Sequence, residues 1–273
     1  NNSEQMSDDR AASIEKAVDR LSAADRTRIP CAPVRDLLGD TDLTTAYDVQ
    51  RCLAEERLAT GARVVGRKIG LTSPAVQRQL GVNQPDFGVL FDDMDVSAHD
   101  AVPFDRLLQP KVEAEVAFVL GSDLDSDDLD LPTVRASVAY ATAALEIVDS
   151  RIAGWDITIT DTIADNASSG LYALGEREVP LSEFEPVEVA MTMRLDGEQA
   201  SEGSGAACLG DPLNALLWLA RTAREFGEPL RAGQVVLSGA LGPMAPVPPG
   251  ASVHAELTAL GPVSAEFDRG GVR

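Results

Sequence analysis

Two glutamates separated by one residue carry the clearest chemical signal in this sequence. Glu113 and Glu115 lie in the Val-rich, alternating stretch 111–120, which predicts a β-strand. Strand side chains repeat every two residues, so both carboxylates face the same side of the sheet. Neighbouring anions resist burial unless they are compensated, and a divalent cation that prefers oxygen ligands would compensate them. The alternative is a solvated strand face, which fits poorly with the apolar residues 116–120 that follow.

Three further residues could join such a centre. Glu146 enters an apolar segment and is a candidate third metal ligand, although an ion pair with Arg151 or Lys111 would also explain it. Lys68, in a glycine-flanked strand, could bind a carboxylate or transfer protons, or it could be a surface lysine. Asp86 follows Asn83-Gln-Pro, where a turn-forming aspartate is the plain interpretation.

The elements that must position these residues can be predicted from periodicity, caps and turns. An N-terminal helical region is followed by mixed strands and helices without regular β-α-β alternation, which indicates an α+β fold. The run 122–130, rich in aspartate, is expected to be a solvated loop, and the sequence suggests no binding partner for it. The predicted helices are 11–21, 43–59, 74–81, 131–145 and 211–227, and the predicted strands are 64–71, 111–120, 146–149, 235–238, 252–260 and 263–267.

Composition narrows the class of protein. The chain has 273 residues, 44% hydrophobic and 25% charged, as expected for a soluble globular protein with one large domain, or one domain and a smaller attachment, and without a membrane span or signal peptide. A formal net charge of -21 disfavours nucleic acid and anionic membranes as partners. Three scattered cysteines form neither a disulfide framework nor a metal motif, which favours a cytoplasmic location and incidental thiols.

Four longer motifs make the chain similar to a known family. They are Val65-Gly-Arg-Lys-Ile-Gly-Leu-Thr-Ser73, Gln79-Leu-Gly-Val-Asn-Gln-Pro-Asp-Phe-Gly88, Glu113-Ala-Glu115 and Ala144-Leu-Glu-Ile-Val-Asp-Ser-Arg-Ile152, and the run 155–170 fits the same pattern. From about residue 40 onward the chain closely resembles the 2-keto-4-pentenoate hydratases of the fumarylacetoacetate hydrolase superfamily.

The resemblance implies a mixed β-roll core: a disordered tail at 1–8, a helical region at 9–63 and a β-roll catalytic domain at 64–273. It implies Mg²⁺ or Mn²⁺ on Glu113, Glu115 and Glu146, in a pocket with Lys68, Asp86 and Ser168 or Ser169 as catalytic residues. The implied reaction adds water to 2-hydroxypenta-2,4-dienoate or a close homologue, giving a 4-hydroxy-2-oxo acid in the meta-cleavage degradation of aromatic compounds or steroids.

The resemblance also implies assembly as pentamers or pairs of pentamers, and it allows a pathway aldolase or decarboxylase as a partner. Three other functions stay open. A 4-oxalocrotonate decarboxylase would use the same metal but release CO₂. A C–C hydrolase would need a histidine–carboxylate pair, and neither His99 nor His254 lies in a matching motif. A non-catalytic partner subunit would be favoured by loss of a metal glutamate or Lys68, yet all are present.

Overall fold

The structure, a computed structural model that describes residues 1–271, contains seven α-helices and eleven β-strands. The helices are α1 Asn2–Thr27, α2 Arg35–Leu38, α3 Leu43–Ala59, α4 Pro74–Leu80, α5 Leu131–Ser137, α6 Ile159–Ala164 and α7 Pro212–Glu225. The strands are β1 Val64–Gly70, β2 Asp86–Phe91, β3 Pro110–Leu120, β4 Val138–Asp149, β5 Leu171–Leu174, β6 Ala190–Leu195, β7 Glu198–Ser204, β8 Val235–Ala240, β9 Ala245–Pro246, β10 Ser252–Leu257 and β11 Gly261–Glu266.

The strands form two sheets. The larger has the order β2-β1-β8-β3-β4-β5, with the short β9 pairing with β3, and it curls into a half-barrel. It is mixed, because β1 and β8 run parallel whereas the other neighbours run antiparallel. The smaller sheet has the order β11-β10-β6-β7 and packs on β4 and β5. The α+β fold with a β-roll core, predicted from sequence, is therefore confirmed.

The main core lies between the two sheets and the buried face of α7. Leu216, Leu219 and Ala220 recur at helical spacing on that face and are fully buried. Asp211 accepts a hydrogen bond from the N–H of Leu213 and Pro212 occupies the first turn, so the predicted cap of this helix is correct. The strands β3 and β4 at the centre of the large sheet are buried on both faces, which encloses any polar side chain they carry.

The N-terminal helices pack on α6 rather than on the sheet alone. Buried residues of α1, such as Leu21, and of α3, such as Val49, meet Ile163 of α6 in a separate apolar cluster. The helix α3 has the predicted bounds, 43–59, and Asp42 caps it by accepting from the N–H of Thr45 at 3.0 Å. The division of the chain at residue 63 stays a prediction.

The structure describes residues 2–8 as helical, where the sequence predicted a disordered tail. These residues are exposed, and the helix continues through them because their backbone amides bond within α1 and need no tertiary partner. Among residues 1–271, no helix is both long enough and apolar enough to span a membrane.

The predicted helix 131–145 is wrong beyond residue 137. Only Leu131–Ser137 is helical, and Val138–Asp149 forms one twelve-residue strand that contains the short strand predicted at 146–149. The alanines of this segment favour a helix locally, but pairing with β3 over eleven residues and with β5 on the other side prevails. This strand is what brings Glu146 to the centre of the sheet.

The acidic run 122–130 is a loop as predicted, and it contacts other parts of the chain. Leu124 and Leu129 are buried, and Arg231 lies 3.3 Å from Asp123. Arg224 of α7 pairs with Asp127 of the same run. The run therefore packs against the main core through two leucines and forms ion pairs with two arginines through its aspartates. Charge composition alone does not reveal these contacts.

Candidate metal-dependent active site

Three glutamates meet at the centre of the large sheet. Glu113 and Glu115 lie on one face of β3, and Glu146 of β4 is the direct antiparallel partner of Glu113. One carboxylate oxygen from each residue lies within 4.8 Å of the others. All three side chains are buried, with exposed fractions of 8%, 0% and 1%. The alternative explanation of Glu146, an ion pair with Arg151 or Lys111, is excluded, since Arg151 pairs with Asp165 and Lys111 lies over the Trp155 ring.

The donor set fits a hard divalent cation. Oε2 of Glu115 and Oε1 of Glu146 are buried and accept no hydrogen bond, although a buried anionic oxygen without a partner is costly. When all four groups are ionised, the three glutamates and Lys68 carry a net charge of two negative units, which one divalent ion would compensate. Oxygen-only ligation suits Mg²⁺ or Mn²⁺ rather than softer metals. The other oxygen of Glu115, Oε1, is oriented by the N–H of Gly239 at 2.8 Å.

Lys68 is the cation that faces this cluster. Lys68 and its neighbour Arg67 lie on opposite faces of β1. Lys68 points into the half-barrel and is 2% exposed. Its Nζ lies 2.9 Å from Oε2 of Glu146, an ion pair without good hydrogen-bond alignment, and donates a hydrogen bond of 2.7 Å to the carbonyl of Ala167. Burial by itself lowers the pKa of Lys68, but the charges of Glu146, Asp86 and Glu113 outweigh it, so the pKa is raised and the ammonium persists. Lys68 is therefore not a surface lysine.

Asp86 completes the polar face beside Lys68. It is the first residue of β2 rather than a turn residue, because it pairs with Gly70 of β1 while Asn83-Gln-Pro85 supplies the turn. It is 1% exposed, and its Oδ1 has no hydrogen-bond partner among residues 1–271. Burial, opposed by Lys68 and supported by Glu146, raises the pKa of Asp86 to about 6.

The two candidate serines lie on a tight 3-10 turn, Asn166–Ser168, and at its end. Ser168 Oγ lies 3.0 Å from Oγ1 of Thr162, and either hydroxyl can be the donor. Ser169 Oγ instead donates to the carbonyl of Asn166 at 2.6 Å, which occupies its only proton. The side chain of Asn166 forms two hydrogen bonds with β2. It accepts one from the N–H of Val89 and donates one to the carbonyl of Val89.

The sequence analysis missed several features of the site because they are backbone groups or glycines, which have no side chain. The Ala167 carbonyl and the Gly239 N–H act through the main chain and have no residue-type signal. Gly70 was recognised only as part of a motif. A Cβ at Gly70 would lie 2.4 Å from Oδ1 of Asp86 and 3.6 Å from Nζ of Lys68, so this glycine makes room for both groups.

The replacement Gly70→Ala tests that spacing. The added methyl group must displace the Asp86 carboxylate, and displacements of about 1 Å near reacting groups lower turnover on the order of 10–100-fold. The metal ligands lie on other strands, so the affinity for Mn²⁺ should stay near that of the wild type. The control Gly121→Ala, whose Cβ would contact only Ala139 at 3.2 Å, should retain turnover. Full kcat in Gly70→Ala would show that the Asp86 position does not matter.

Metal uptake should release protons. Without an ion, burial followed by the charge of Glu146 raises the pKa of Glu113 to about 7, and the pKa of Glu115 is raised well above its usual range for the same reasons. Bound metal requires both groups ionised, so affinity should rise with pH between about 6 and 8. Titration calorimetry in buffers of different ionisation enthalpy measures the released protons; pH-independent affinity without proton release would contradict this.

The same pKa shifts predict whether the stability of the metal-free protein rises or falls with pH. A carboxyl whose pKa is higher in the folded than in the unfolded state binds more protons when folded. The free energy of unfolding of the metal-free protein should therefore fall as the pH rises from about 4.5 to 7 across the range set by Glu113. Saturating metal should remove this decline, as urea titrations at fixed pH would measure.

Comparisons with known proteins agree with this site. A protein-family model described as fumarylacetoacetate (FAA) hydrolase C-terminal matches residues 70–268. The chain is 53% identical over 258 residues to the TodF product hydratase of Pseudomonas putida, covering 94% of this chain and 96% of that protein. It is 49% identical over 254 residues to a 2-keto-4-pentenoate hydratase of Paraburkholderia xenovorans, covering 93% and 94%.

Among solved structures, the 4-oxalocrotonate decarboxylase of Pseudomonas putida G7, in complex with magnesium and adipate, superposes with a TM-score of 0.88 at 32% identity. The match covers 94% of this chain and 98% of the decarboxylase. The fold is thus common to two activities, whereas the two hydratases are clearly more similar in sequence. On this full-length similarity, the chain belongs to the 2-keto-4-pentenoate hydratases, a family of hydro-lyases within the fumarylacetoacetate hydrolase superfamily.

Proposed function

We propose that this protein is a metal-dependent hydratase that adds water to 2-hydroxypenta-2,4-dienoate, or a close homologue, to give a 4-hydroxy-2-oxo acid. The observation that carries the proposal is the buried cluster of three glutamates facing Lys68, in a chain about half identical to hydratases over its whole length. The pathway we propose is the meta-cleavage degradation of aromatic compounds or steroids. We also propose assembly in rings of five or ten subunits.

Glu113, Glu115 and Glu146 would hold Mg²⁺ or Mn²⁺, each through one carboxylate oxygen. When bound, the ion would supply charge compensation for an anionic substrate and polarise its 2-oxygen. This local positive charge matters in a protein with a formal net charge of -21, whose overall field repels carboxylates.

Lys68 would hold the substrate carboxylate. Two of its contacts are known, one to Glu146 and one to the Ala167 carbonyl, and an ammonium group has three N–H donors. Because the Glu146 contact is an ion pair, the hydrogen bond to the Ala167 carbonyl leaves N–H donors of Lys68 for a substrate carboxylate. Because neighbouring anions keep Lys68 protonated, binding a carboxylate suits it better than donating a proton to the dienol.

Asp86 would move the proton, either from the attacking water or between the carbons of the dienol. Its Oδ1 is buried, has no hydrogen-bond partner and is therefore free to accept one. Ser168 is the better candidate of the two serines for orienting water or substrate, because Thr162 can donate to it and leave its own proton available. Ser169 donates its proton within the turn and can only accept further hydrogen bonds.

A 4-oxalocrotonate decarboxylase is the second candidate, favoured by the TM-score of 0.88 to a solved enzyme of that name. A C–C hydrolase has less support. His254 is half-exposed on β10, where it hydrogen-bonds Ser264 and Glu256, and His99 is exposed. Neither histidine belongs to the described cluster, so neither can activate water there. The intact glutamates and Lys68 likewise give no support to a non-catalytic subunit.

The experiment is a substrate comparison with purified protein and Mg²⁺. Freshly generated 2-hydroxypenta-2,4-dienoate should lose its ultraviolet absorbance while 4-hydroxy-2-oxopentanoate forms, and chelator should abolish the reaction. A six-carbon dienoate tests chain length in the same assay. If 4-oxalocrotonate is consumed with release of CO₂ while the dienoates are not hydrated, the decarboxylase replaces the hydratase. No turnover of any of them would favour a non-catalytic role.

A further inference from the structure

The turn that contacts Lys68 has an unfavourable backbone conformation. Asn166, Ala167 and Ser168 all have positive φ, at 55°, 52° and 55°, although none of them is glycine. Residues with a Cβ seldom adopt the left-handed region, and alanine and serine do so less readily than asparagine. Three in succession would not persist unless surrounding groups held them, so the contacts around this turn determine where the Ala167 carbonyl lies.

Arg151 supplies those contacts on one side of the turn. Its guanidinium pairs with the Asp165 carboxylate at 2.7 Å and donates to the Asp165 carbonyl at 2.7 Å, just before the turn. It also donates to the carbonyl of Ser169, just after the turn. The Arg151 N–H adds a further bond of 2.9 Å to Oδ2 of Asp165. One side chain, 10% exposed, thereby bridges both ends of the strained segment.

The opposite side of the turn faces the catalytic groups. Ala167, in the middle of the turn, accepts the hydrogen bond from Nζ of Lys68. Asn166 fixes the same turn to β2 through Val89. The Ala167 carbonyl is therefore held between β2 and Arg151, and it determines one of the directions in which the Lys68 ammonium can point.

We propose that Arg151 is a positioning residue for the hydration reaction, acting on Lys68 through the carbonyl of Ala167. This rests on the proposed function and adds to it a residue that touches neither the glutamate cluster nor, by its location behind the turn, the substrate. Without the guanidinium, the 165–169 segment loses the side-chain hydrogen bonds that bridge its two ends and keeps only the Arg151 N–H bond to Asp165, so it can relax toward ordinary φ values. The Ala167 carbonyl then moves, and the ammonium moves with it.

A cavity of about 500 Å³ adjoins Arg151 and the 166–168 turn, and it makes a chemical-rescue test possible. Its lining includes Arg151, Asp165 and Ser169, together with residues of α1 and α3, whereas the three glutamates and Lys68 do not line it. A guanidinium ion can therefore reach the space that a truncated Arg151 would leave, without entering through the metal site.

The test compares Arg151→Ala with Arg35→Ala. Arg35 is a matched control because it pairs at 2.8 Å with the fully buried Asp161 of α6, the helix that leads into the turn, but it does not touch the turn. Both variants remove an arginine from a buried aspartate, but the Arg151 side chain is 10% exposed and that of Arg35 is 32% exposed, so urea unfolding is measured for each and kcat is compared where both are folded. Arg151→Ala should lower kcat on the order of 10–100-fold with little change in Mn²⁺ affinity, whereas Arg35→Ala should keep kcat. Millimolar guanidinium should partly restore kcat in Arg151→Ala alone.

A spectroscopic readout separates this proposal from the proposed function. The chain has three lysines, Lys16, Lys68 and Lys111, so the ¹⁵N resonance of the Lys68 ammonium can be assigned by substitution. That resonance should shift in Arg151→Ala, return with guanidinium and stay unchanged in Arg35→Ala. Wild-type protein without hydratase activity would overturn the function but leave this readout informative. An unchanged Lys68 resonance, or equal loss of kcat in both variants without rescue, would overturn the role of Arg151.

Discussion

Replacing Glu146 with glutamine is expected to abolish metal-dependent turnover while leaving the fold intact. The change removes one ligand charge and the ion-pair partner of Lys68, but it alters little volume at a site that is 1% exposed. We expect kcat/KM to fall on the order of 10³-fold or more, with a clear loss of Mn²⁺ affinity. Steady-state kinetics and a metal titration measure the two effects.

Glu113→Gln should behave in the same way, because Glu113 lies directly opposite Glu146 in the strand pairing. The matched control is Glu198→Gln on β7, where the side chain is exposed and far along the chain from the cluster. Circular dichroism should be near normal in all three variants, and urea unfolding should be near normal in Glu198→Gln. Near-normal turnover in Glu146→Gln or Glu113→Gln would remove that residue from the metal site.

Lys68→Met should retain the metal and lose the reaction. Methionine fills a similar buried volume, and removing the ammonium leaves the three glutamates free to bind a cation. The substrate carboxylate loses its partner, and we expect kcat/KM to fall on the order of 10²–10³-fold. Metal affinity should stay the same or increase, because a competing positive charge is gone.

The control is Lys16→Met, an exposed position on α1 that should leave kinetics unchanged. Full activity in Lys68→Met would show that the reaction does not use the ammonium, whatever its burial. Loss of both metal and activity would assign Lys68 to the assembly of the metal site rather than to the substrate.

The glutamate cluster could be predicted because its signal is local. A two-residue strand period is enough to place Glu113 and Glu115 on one face, and the apolar surroundings of Glu146, together with the family resemblance, made it the third candidate. The geometry brings these three together with Lys68. The catalytic roles of Lys68, Asp86, Ser168 and Ser169 stay predictions.

Other parts could not be predicted from short sequence windows. The alanine-rich start of β4 has helical propensity, and only pairing with β3 and β5, distant along the chain, makes it a strand. Asp86 follows a proline turn, and its strand conformation depends on pairing with Gly70. The left-handed turn at 166–168 contains no glycine that would have indicated positive φ from the sequence. Its conformation depends on contacts with Arg151 and Val89. Each failure concerns an element whose structure is decided by residues far away in sequence.

The most direct test of the central claim is a titration of chelator-stripped protein with Mn²⁺ or Mg²⁺, followed simultaneously by metal binding and by hydration of 2-hydroxypenta-2,4-dienoate. We predict no turnover without metal, then turnover that rises in proportion to bound ion and reaches its maximum at one ion per chain, bound by the Glu113, Glu115 and Glu146 cluster. Equal turnover in the stripped protein, or maximal turnover with that cluster empty, would contradict a metal-dependent hydratase.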